Sequence, residues 1–247
     1  MSYSEHFEPE ATSLEYDELQ YAEGSYPSLL WELERRQIDS ILNETFPDPD
    51  FDYLDFACGT GRVLVHIESR ARSSRGIEIS SAMANRAKKR VSSAEIVCRD
   101  ITVPSADVEA EYDLVTAFRF ILNAEPDLRR RAMESLARRL RDENSILVFN
   151  NHGNLVSHKL LAFPVHQFRM RGTRRQSGNY LSHRSVVRLA EECGLSVERA
   201  AGCGLLGGKL AKSLPPRMVQ WIESRFASSR LNSLGSNQMY VGRKQLR

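Results

Sequence analysis

The sequence predicts an α/β domain whose core is an open, mostly parallel β-sheet covered by helices on both faces. From residue 53 onward, short apolar runs rich in β-branched and aromatic residues alternate with helical stretches, which is typical of stacked β-α units. The first of these runs turns through Gly59 and Gly61 directly into a helix. The chain has 247 residues, 41% of them hydrophobic, so we expect one large domain over residues 1–247.

The elements follow from local patterns. Apolar runs predict strands at 53–58, 74–79, 94–99, 112–118, 145–150, 195–200 and 238–243. Apolar residues at helical spacing predict helices at 28–42, 61–72, 80–91, 126–140, 183–193 and 219–226. Ser80 is a suitable N-cap, and Pro126 suits a first helical turn. We expect residues 1–50 to form an N-terminal helical cap, and residues 151–182, which interrupt the rhythm, to form a lid over the substrate.

Composition excludes several classes of protein. No stretch approaches the roughly 18 consecutive apolar residues of a membrane-spanning helix, so no membrane association is expected. The four cysteines form no C-x-x-C pair, which favours free thiols in a reducing compartment. The first residues are acidic and do not resemble a secretory leader. We therefore expect a cytoplasmic protein.

Charge is divided unevenly along the chain. Residues 1–150 carry 18 Lys/Arg against 28 Asp/Glu, a net charge of −10, and residues 151–247 carry 16 against 4, a net charge of +12. Such a division fits two parts of one fold that attract each other, or a cationic surface for an anionic partner. Four arginines within residues 169–175 fit an anionic substrate and an exposed charged edge equally well.

The glycine turn indicates a nucleotide-like ligand. Glycines let a backbone approach a ligand closely, and the start of a helix offers unpaired N–H groups. Leu64 stands where a dinucleotide fingerprint needs its third Gly or Ala, and the sequence contains no P-loop motif. A pyrophosphate is therefore not the expected ligand.

Two carboxylates follow the turn. Glu78 ends the second predicted strand, 17 residues after Gly61, where it can accept hydrogen bonds from both hydroxyls of a ribose. Asp100 follows the third strand, where it can accept from the amine of a purine. With Asp55 of the first strand, both belong to the carboxyl edge of the sheet, where open α/β folds bind ligands.

These residues, with the segment D-x-A-C-G-T-G at 55–61, closely resemble class I S-adenosylmethionine-dependent methyltransferases over residues 50–205 and the final strand. The resemblance implies a Rossmann-like sheet of seven strands in the order 3-2-1-4-5-7-6, the seventh antiparallel, with S-adenosylmethionine as cofactor. It assigns Asp55, Ala57, Cys58, Gly59 and Gly61 to the loop around the methionyl part, Glu78 to the ribose, Ile79 and Met83 to the adenine, Asp100 and Ile101 to the adenine edge, and Phe118 to the sulfonium.

Methyl transfer needs alignment and a nucleophile freed of its proton, and it needs no metal. His152, after the fifth strand, is the best-placed general base, although a structural hydrogen-bonding role remains the alternative. His152, His158 and His166 fit no standard metal-ligand spacing, so no metal is expected. Tyr16, Tyr21 and Tyr26 resemble the aromatic cap that small-molecule methyltransferases place over the cofactor, but no motif selects one of them.

The sequence therefore predicts methyl transfer to a polar small molecule, for which a sugar or another metabolite, and an anionic one, are options. The alternatives are an RNA or protein methyltransferase that uses the basic C-terminal half, and a cofactor-binding protein without catalysis. Nucleic acid is not the expected partner, because the sequence contains no N-P-P-Y-type motif and no known RNA-binding module. The acceptor atom and the oligomeric state remain open.

Overall fold

The computed structural model describes residues 22–100, 110–160 and 180–245. Several residues singled out above lie outside these ranges. They are Tyr16, Tyr21, Ile101, His166 and the four arginines within 169–175, and most of the expected lid lies outside as well.

Seven strands and seven α-helices form the described part of the chain. The strands are β1 (Asp52–Phe56), β2 (Ser73–Glu78), β3 (Glu95–Cys98), β4 (Leu114–Ala117), β5 (Ile146–Asn151), β6 (Leu195–Cys203) and β7 (Asn237–Lys244). The helices are α1 (Tyr26–Thr45), α2 (Arg62–Ile67), α3 (Ser81–Arg90), α4 (Pro126–Arg138), α5 (His183–Glu192), α6 (Gly207–Ala211) and α7 (Pro216–Ala227). Short 3-10 helices cover Glu68–Arg70 and Asn232–Leu234.

The strands form one sheet in the order β3-β2-β1-β4-β5-β7-β6. Strands β1 to β5 are parallel to one another, and β7 pairs antiparallel with both β5 and β6. This arrangement confirms the predicted fold class, strand order and direction of the seventh strand. Because β1 and β4 lie side by side and are followed by connections to opposite sides, their carboxyl ends open a crevice at the middle of the sheet.

Each face of the sheet has its own apolar core. Leu54 and Phe56 of β1 belong to the cluster that includes α4 and α5, whereas Tyr53 belongs to the cluster that includes α1 and α2. Side chains alternate between the faces of a strand, so a central strand covered on both sides has to be apolar throughout. Burial of both faces is therefore the physical cause of the continuous apolar runs in the sequence.

Helix α1 is longer than predicted and packs onto the sheet. It begins after the N-cap Ser25, whose hydroxyl accepts from the N–H of Ser28 at 3.1 Å. Its residues Ile38, Ile41 and Leu42 are buried in one of the two cores. The described part of the expected N-terminal cap therefore contributes to the core of the domain.

Helix α2 ends at Ile67, five residues earlier than predicted. The buried carboxylate of Glu68 accepts from the backbone N–H groups of Ser92, Ser93 and Ala94 at 2.9 to 3.1 Å. These contacts tie the end of the helix to the chain before β3. Glu68 begins the 3-10 helix that follows α2, and its side chain binds a segment 24 to 26 residues further along the chain.

Gly61 allows a close contact between two helices. It precedes α2 with φ of +83°, a conformation that glycine adopts without strain. A Cβ atom at this position would lie 3.3 Å from the Cβ of Ala87 on α3. Gly61 therefore serves the packing of α3 against the turn, in addition to any role toward a ligand.

None of the helices in the described ranges combines the length and the apolar character that a bilayer crossing requires.

Gly61→Ala should destabilise the fold more than Gly194→Ala. Both glycines have φ of +83°, but nothing lies within 4 Å of a Cβ added at Gly194. The Gly194 variant therefore suffers only backbone strain, about 1 kcal/mol, and the Gly61 variant adds crowding worth about 1 to 3 kcal/mol. Urea denaturation of both variants without cofactor measures the difference in free energy of unfolding. Equal losses would show that the contact with Ala87 relaxes freely.

Candidate functional site

The turn between β1 and α2 contains three left-handed residues in five. Ala57, Gly59 and Gly61 have φ of +52°, +58° and +83°. Backbone hydrogen bonds fix the turn, from the N–H of Cys58 to the carbonyl of Ile77 at 3.1 Å and from the N–H of Gly61 to the carbonyl of Cys58 at 2.9 Å. A left-handed conformation is costly for Ala57, and such strain is concentrated at functional sites.

A cavity lies above this turn, at the carboxyl ends of β1, β2 and β4, and its empty space of about 580 Å³ includes open solvent. The cavity is lined by Asp55, Ala57, Cys58, Gly59, Thr60, Arg62, Val63, Glu78, Met83, Phe118, Arg119 and Asn123. Seven of the predicted cofactor residues are thus brought together: Asp55, Ala57, Cys58, Gly59, Glu78, Met83 and Phe118.

Three predicted cofactor residues that the structure describes are not among the lining residues. Gly61 packs against α3 as described above, Ile79 is 39% exposed beside the crevice, and Asp100 lies two residues beyond the end of β3. The fourth, Ile101, lies outside the described ranges.

The carboxylate of Glu78 connects the ends of β1 and β2. Its Oε2 accepts from the N–H of Gly59 at 2.8 Å, and its Oε1 accepts from the N–H of Ser80 at 2.8 Å. Burial raises the pKa of Glu78, and the backbone hydrogen bonds oppose that rise. Each carboxylate oxygen can accept more than one hydrogen bond, so the fixed carboxylate keeps capacity for two hydroxyl groups of a ligand.

Gly59 and Met83 form the opposite side of the same corner. A Cβ atom added at Gly59 would meet only the sulfur of Met83, at 3.8 Å, so the backbone of Gly59 faces open space. Met83 is 4% exposed and lines the cavity. Its polarisable thioether can contact the face of an aromatic ring.

Asp55 lies at the bottom of the cavity, and its two carboxylate oxygens differ in their hydrogen bonds. Its Oδ1 accepts from the hydroxyl of Thr116 at 2.6 Å, and that hydroxyl is 2.8 Å from the phenol oxygen of Tyr53. Its Oδ2 is buried and makes no hydrogen bond of normal geometry among the described residues, although the backbone N–H of Leu64 lies near enough to the carboxylate to lower its pKa. Burial raises the pKa of Asp55 to about 7. A cationic ligand group placed against Oδ2 would favour the ionised carboxylate.

Arg62 brings a positive charge to the same end of the cavity. Its guanidinium lies over the ring of Trp31 on α1, 4.4 Å from the ring centroid. The charge of Arg62 favours the ionised form of Asp55 and partly offsets the effect of burial on its pKa. The sequence analysis did not single out Arg62, because its contact with Trp31 joins elements 31 residues apart in the chain.

The end of β4 supplies a second strained residue. Arg119 has φ of +60°, and with Ala57 it is one of two non-glycine residues with positive φ in the described ranges. Its N–H donates to Oδ1 of Asn150 at 2.7 Å, and its carbonyl accepts from the amide of Asn123 at 2.6 Å. Both strained residues line the cavity. Arg119 and Asn123 lie in a polar segment noted in the sequence, but no pattern identified them individually.

The buried carboxylate of Glu34 contacts residues at the end of β4 and of the neighbouring strands β5 and β7. Glu34 of α1 is 1% exposed. Its Oε1 accepts from the side-chain amides of Asn150 and Asn237, each at 2.8 Å. Its Oε2 lies 3.5 Å from the guanidinium of Arg119. Asn150 thus contacts both the backbone of Arg119 and the carboxylate that pairs with its side chain.

His152, the predicted general base, follows β5 and does not line the cavity in the described structure. The imidazole is partly buried, and its Nδ1 has no hydrogen-bond partner among the described residues. Burial and the charges of Arg119 and Lys159 lower the pKa of His152 well below its ordinary value. The ring is therefore neutral near pH 7, the form that accepts a proton. Its role as a base stays a prediction.

The structure also describes Cys58 and Tyr26, which the sequence analysis placed near the cofactor. Burial raises the pKa of the Cys58 thiol, so this residue is not an activated nucleophile. The hydroxyl of Tyr26 donates to Glu223 at 2.6 Å and accepts from the N–H of Gly207 at 3.1 Å. Tyr26 is thus bound within the α6–α7 region, and it is not one of the cavity-lining residues.

Comparisons with known proteins bear on the fold and on the class of domain. Residues 54–143 match the family model Methyltransf_25, described as a methyltransferase domain. None of the curated proteins compared with the chain matches it.

Solved structures match over nearly the whole chain. The magnesium protoporphyrin IX methyltransferase of Synechocystis PCC 6803 with bound S-adenosylhomocysteine has a TM-score of 0.64 at 13% identity, covering 98% of this chain and 97% of that one. An S-adenosylmethionine-dependent methyltransferase from Clostridium acetobutylicum has a TM-score of 0.62 at 13% identity, covering 96% and 98%. The N-methyltransferase NodS from Bradyrhizobium japonicum has a TM-score of 0.59 at 13% identity, covering 97% and 98%.

The sheet order and the crevice define a protein of the class I S-adenosylmethionine-dependent methyltransferase fold. Within that class, residues 54–143 carry the methyltransferase domain that the family model describes. The chain thus contains a methyltransferase domain within a class I methyltransferase fold, as the resemblance in its sequence implied.

Replacement of Asp55 by Asn should remove a pH dependence of stability. The raised pKa of Asp55 means that the folded protein holds a proton between about pH 4 and pH 7 that the unfolded chain has released. The free energy of unfolding therefore falls as pH rises through this window, by up to about 4 kcal/mol. Asn keeps an acceptor for Thr116 and does not ionise. Urea denaturation without cofactor should show the variant gaining stability relative to the wild type from about pH 5 to about pH 8. A difference between the two proteins that is independent of pH would contradict the raised pKa.

Proposed function

We propose that this protein transfers the methyl group of S-adenosylmethionine to a nucleophilic atom of a polar small molecule, with a sugar or a related metabolite as the candidate acceptor. The single observation that carries this proposal is the cavity at the carboxyl ends of β1, β2 and β4. It combines a backbone-fixed carboxylate, an unpartnered buried carboxylate oxygen and an open glycine backbone.

The residues present fit an adenosyl amino acid in charge and in hydrogen bonding. Glu78 would accept from the ribose hydroxyls, because each of its oxygens is held in place and keeps lone pairs. Oδ2 of Asp55 would accept from the methionyl ammonium, and Arg62 would offset the methionyl carboxylate. Met83 would contact the adenine, as the resemblance to class I methyltransferases implies. This assignment gives the orphaned oxygen of Asp55 the partner that a buried carboxylate requires.

Phe118 and Arg119 mark the side from which the acceptor would approach. Both line the cavity at the end of β4, next to the end of β5. The bound cofactor supplies an activated methyl group, so the protein has to align the acceptor and remove its proton. Phe118 would exclude water from the reacting atoms. His152, neutral near pH 7, would accept the proton from an acceptor placed between it and the cavity.

Glu78→Ala should weaken the binding of S-adenosylhomocysteine at least a hundredfold. The change removes charged acceptors for two ribose hydroxyls, each worth about 1.5 to 3 kcal/mol. Glu78→Gln should lose less, because its amide oxygen still accepts one hydrogen bond. Isothermal titration calorimetry measures the dissociation constants.

The matched control for this experiment is Glu95→Ala, which removes a carboxylate that pairs with Arg75 at an exposed position on the adjacent strand β3. Its dissociation constant should equal that of the wild type. Circular dichroism confirms that each variant is folded. Wild-type protein that binds no S-adenosylhomocysteine, or a folded Glu78→Ala variant with unchanged affinity, would overturn the assignment of the cavity.

His152→Gln should lower the rate of methyl transfer by about 10² to 10⁴ and leave the affinity for S-adenosylhomocysteine unchanged. The reaction is followed as S-adenosylhomocysteine formed from S-adenosylmethionine with a panel of polar metabolites. Because the pKa of His152 is lowered, the wild-type rate should be level between about pH 7 and pH 8. A variant as fast as the wild type would assign His152 a structural role. Cofactor binding without product from any acceptor class would favour a protein that binds the cofactor without catalysis.

A further inference from the structure

Helix α7 carries two large apolar side chains outside the core. Its buried residues Val219, Glu223 and Phe226 form one stripe that faces the domain. Met218 and Trp221 lie on the other side of the helix, three residues apart, and they are 47% and 66% exposed. Trp221 is the most exposed of the large apolar side chains that the structure describes. Exposed aromatic side chains are typical of binding surfaces.

The same side of α7 is basic. Arg217 and Arg225 lie one helical turn before and one turn after Trp221, so the three side chains are neighbours on the helix surface. Neither arginine makes an ion pair with a carboxylate that the structure describes. Residues 205–231 contain five Lys/Arg and a single acidic residue, Glu223, which is buried. The α7 face is defined here as Arg217, Met218, Trp221 and Arg225.

A turn precedes α1 at the point where the described structure begins. The N–H of Ser25 donates to the carbonyl of Ala22 at 3.0 Å, and Gly24 between them has φ of +76°. A left-handed third residue belongs to a four-residue turn that favours glycine, and such a turn reverses the direction of the chain. The chain that precedes Ala22 therefore arrives from the side of α1 and not along the helix axis.

Tyr26 fixes the first turn of α1 against α6 and α7. Its hydroxyl donates to Glu223 of α7 at 2.6 Å and accepts from the N–H of Gly207 of α6 at 3.1 Å. The point at which residues 1–21 join the described structure is thus tied to the helix that carries the α7 face. The 12 residues of α7 span about 18 Å, and 21 residues of extended chain can span more than this length.

The composition of residues 1–21 is complementary to the α7 face. They contain six Asp/Glu, no Lys or Arg, four aromatic residues and two leucines. Their carboxylates fit the two arginines, and their aromatic and leucine side chains fit Met218 and Trp221. The uneven division of charge along the sequence is therefore concentrated in part in these two stretches.

We propose that residues 1–21 dock on the α7 face, with acidic side chains against its arginines and apolar side chains over Met218 and Trp221. None of the four residues of the face lines the cofactor cavity. The inference therefore goes beyond the proposed function and does not depend on it.

The connection at Ala22 favours this occupant over two others. A segment tethered beside its site has an effective concentration in the millimolar range. A second copy of the chain has no tether, and in a two-fold contact between α7 faces it would set like charges against each other. An anionic bilayer matches the charge of the face but also has no tether.

The indole N–H resonance of Trp221 tests the contact in the full chain. The protein contains two tryptophans, and Trp221→Phe assigns the signal. A neutral paramagnetic probe in the solvent broadens the signal of an exposed indole. The wild-type signal should be protected at low salt. It should broaden as sodium chloride rises from about 0.05 M to about 0.5 M, because salt screens exposed charges.

Neutral side chains in the segment test the occupant. The segment variant carries Glu15→Gln, Asp17→Asn and Glu18→Gln. The ratio of docked to free segment should fall about tenfold, because each exposed ion pair shifts an equilibrium about twofold. Circular dichroism confirms that the variant is folded.

The matched control removes three exposed carboxylates from the opposite edge of the sheet. Strand β6 runs in the direction of β5, so α6 and α7, which follow β6, lie at the carboxyl edge. The control positions lie three or four residues before β1, β4 and β5 begin, at the amino edge. The control variant carries Asp48→Asn, Glu111→Gln and Glu143→Gln. Its Trp221 signal should stay protected.

Arginine variants test the face. Arg217→Gln with Arg225→Gln should expose Trp221 as the segment variant does, whereas Arg131→Gln with Arg138→Gln, at exposed positions of α4, should not. The arginine and segment changes combined should expose Trp221 no further than either set alone, because both remove the same contact. Additive exposure would show that the arginines act on Trp221 without the segment, and it would overturn the proposal.

The remaining outcomes identify the occupant. Protection in the wild type that the segment variant loses supports the inference. An exposed Trp221 in the wild type, or protection that survives in the segment variant, overturns it. Protection that grows with protein concentration assigns the face to a second copy, and protection gained only with phosphatidylglycerol vesicles assigns it to a bilayer. Binding of S-adenosylhomocysteine tests the proposed function separately, so the two can fail independently.

Discussion

The site depends on the bridge that Glu78 makes between the ends of two strands. Its two oxygens accept from the N–H of Gly59 and from the N–H of Ser80. One contact fixes the left-handed turn after β1, and the other fixes the entry into α3. Because the carboxylate is buried, these hydrogen bonds are stronger than they would be in water. The corner is therefore set before any ligand arrives, and binding does not have to order it.

Features that depend on a single strand or a single turn could be predicted from the sequence. Continuous apolar runs located the strands, since a central strand is covered on both faces. The turn after β1 could be predicted because Gly59 and Gly61 mark it in the sequence, whereas the left-handed conformation of Ala57 could not. Glu78 could be singled out from its place at the end of the second strand, and the resemblance then supplied the strand order. Gly61 shows the limit of this approach, since its contact with Ala87 depends on the position of a helix 20 residues further along the chain.

Residues that meet across elements could not be predicted. Arg62 is placed by Trp31, and Arg119 is placed by Asn150 and Glu34. Glu34 is 1% exposed and lies four residues from both Leu30 and Ile38, so it is a carboxylate on the apolar face of α1. Only packing of α1 against the sheet shows that it serves the end of β4. The left-handed φ of Arg119 carries no sequence signal, because that conformation is usually associated with glycine.

The position of β7 has a consequence for the synthesis of the protein. This strand lies between β5 and β6 but follows both of them in the chain. All of the cavity-lining residues fall between Asp55 and Asn123, so the ribosome completes them long before β7 emerges. Strand β6 has no hydrogen-bonding neighbour in the sheet until β7 arrives between it and β5. The residues that line the cavity are thus translated early. The sheet is completed only when β7, more than a hundred residues later, has been synthesised. During that interval the unpaired edge of β5 in the nascent chain is exposed to incorrect strand pairing.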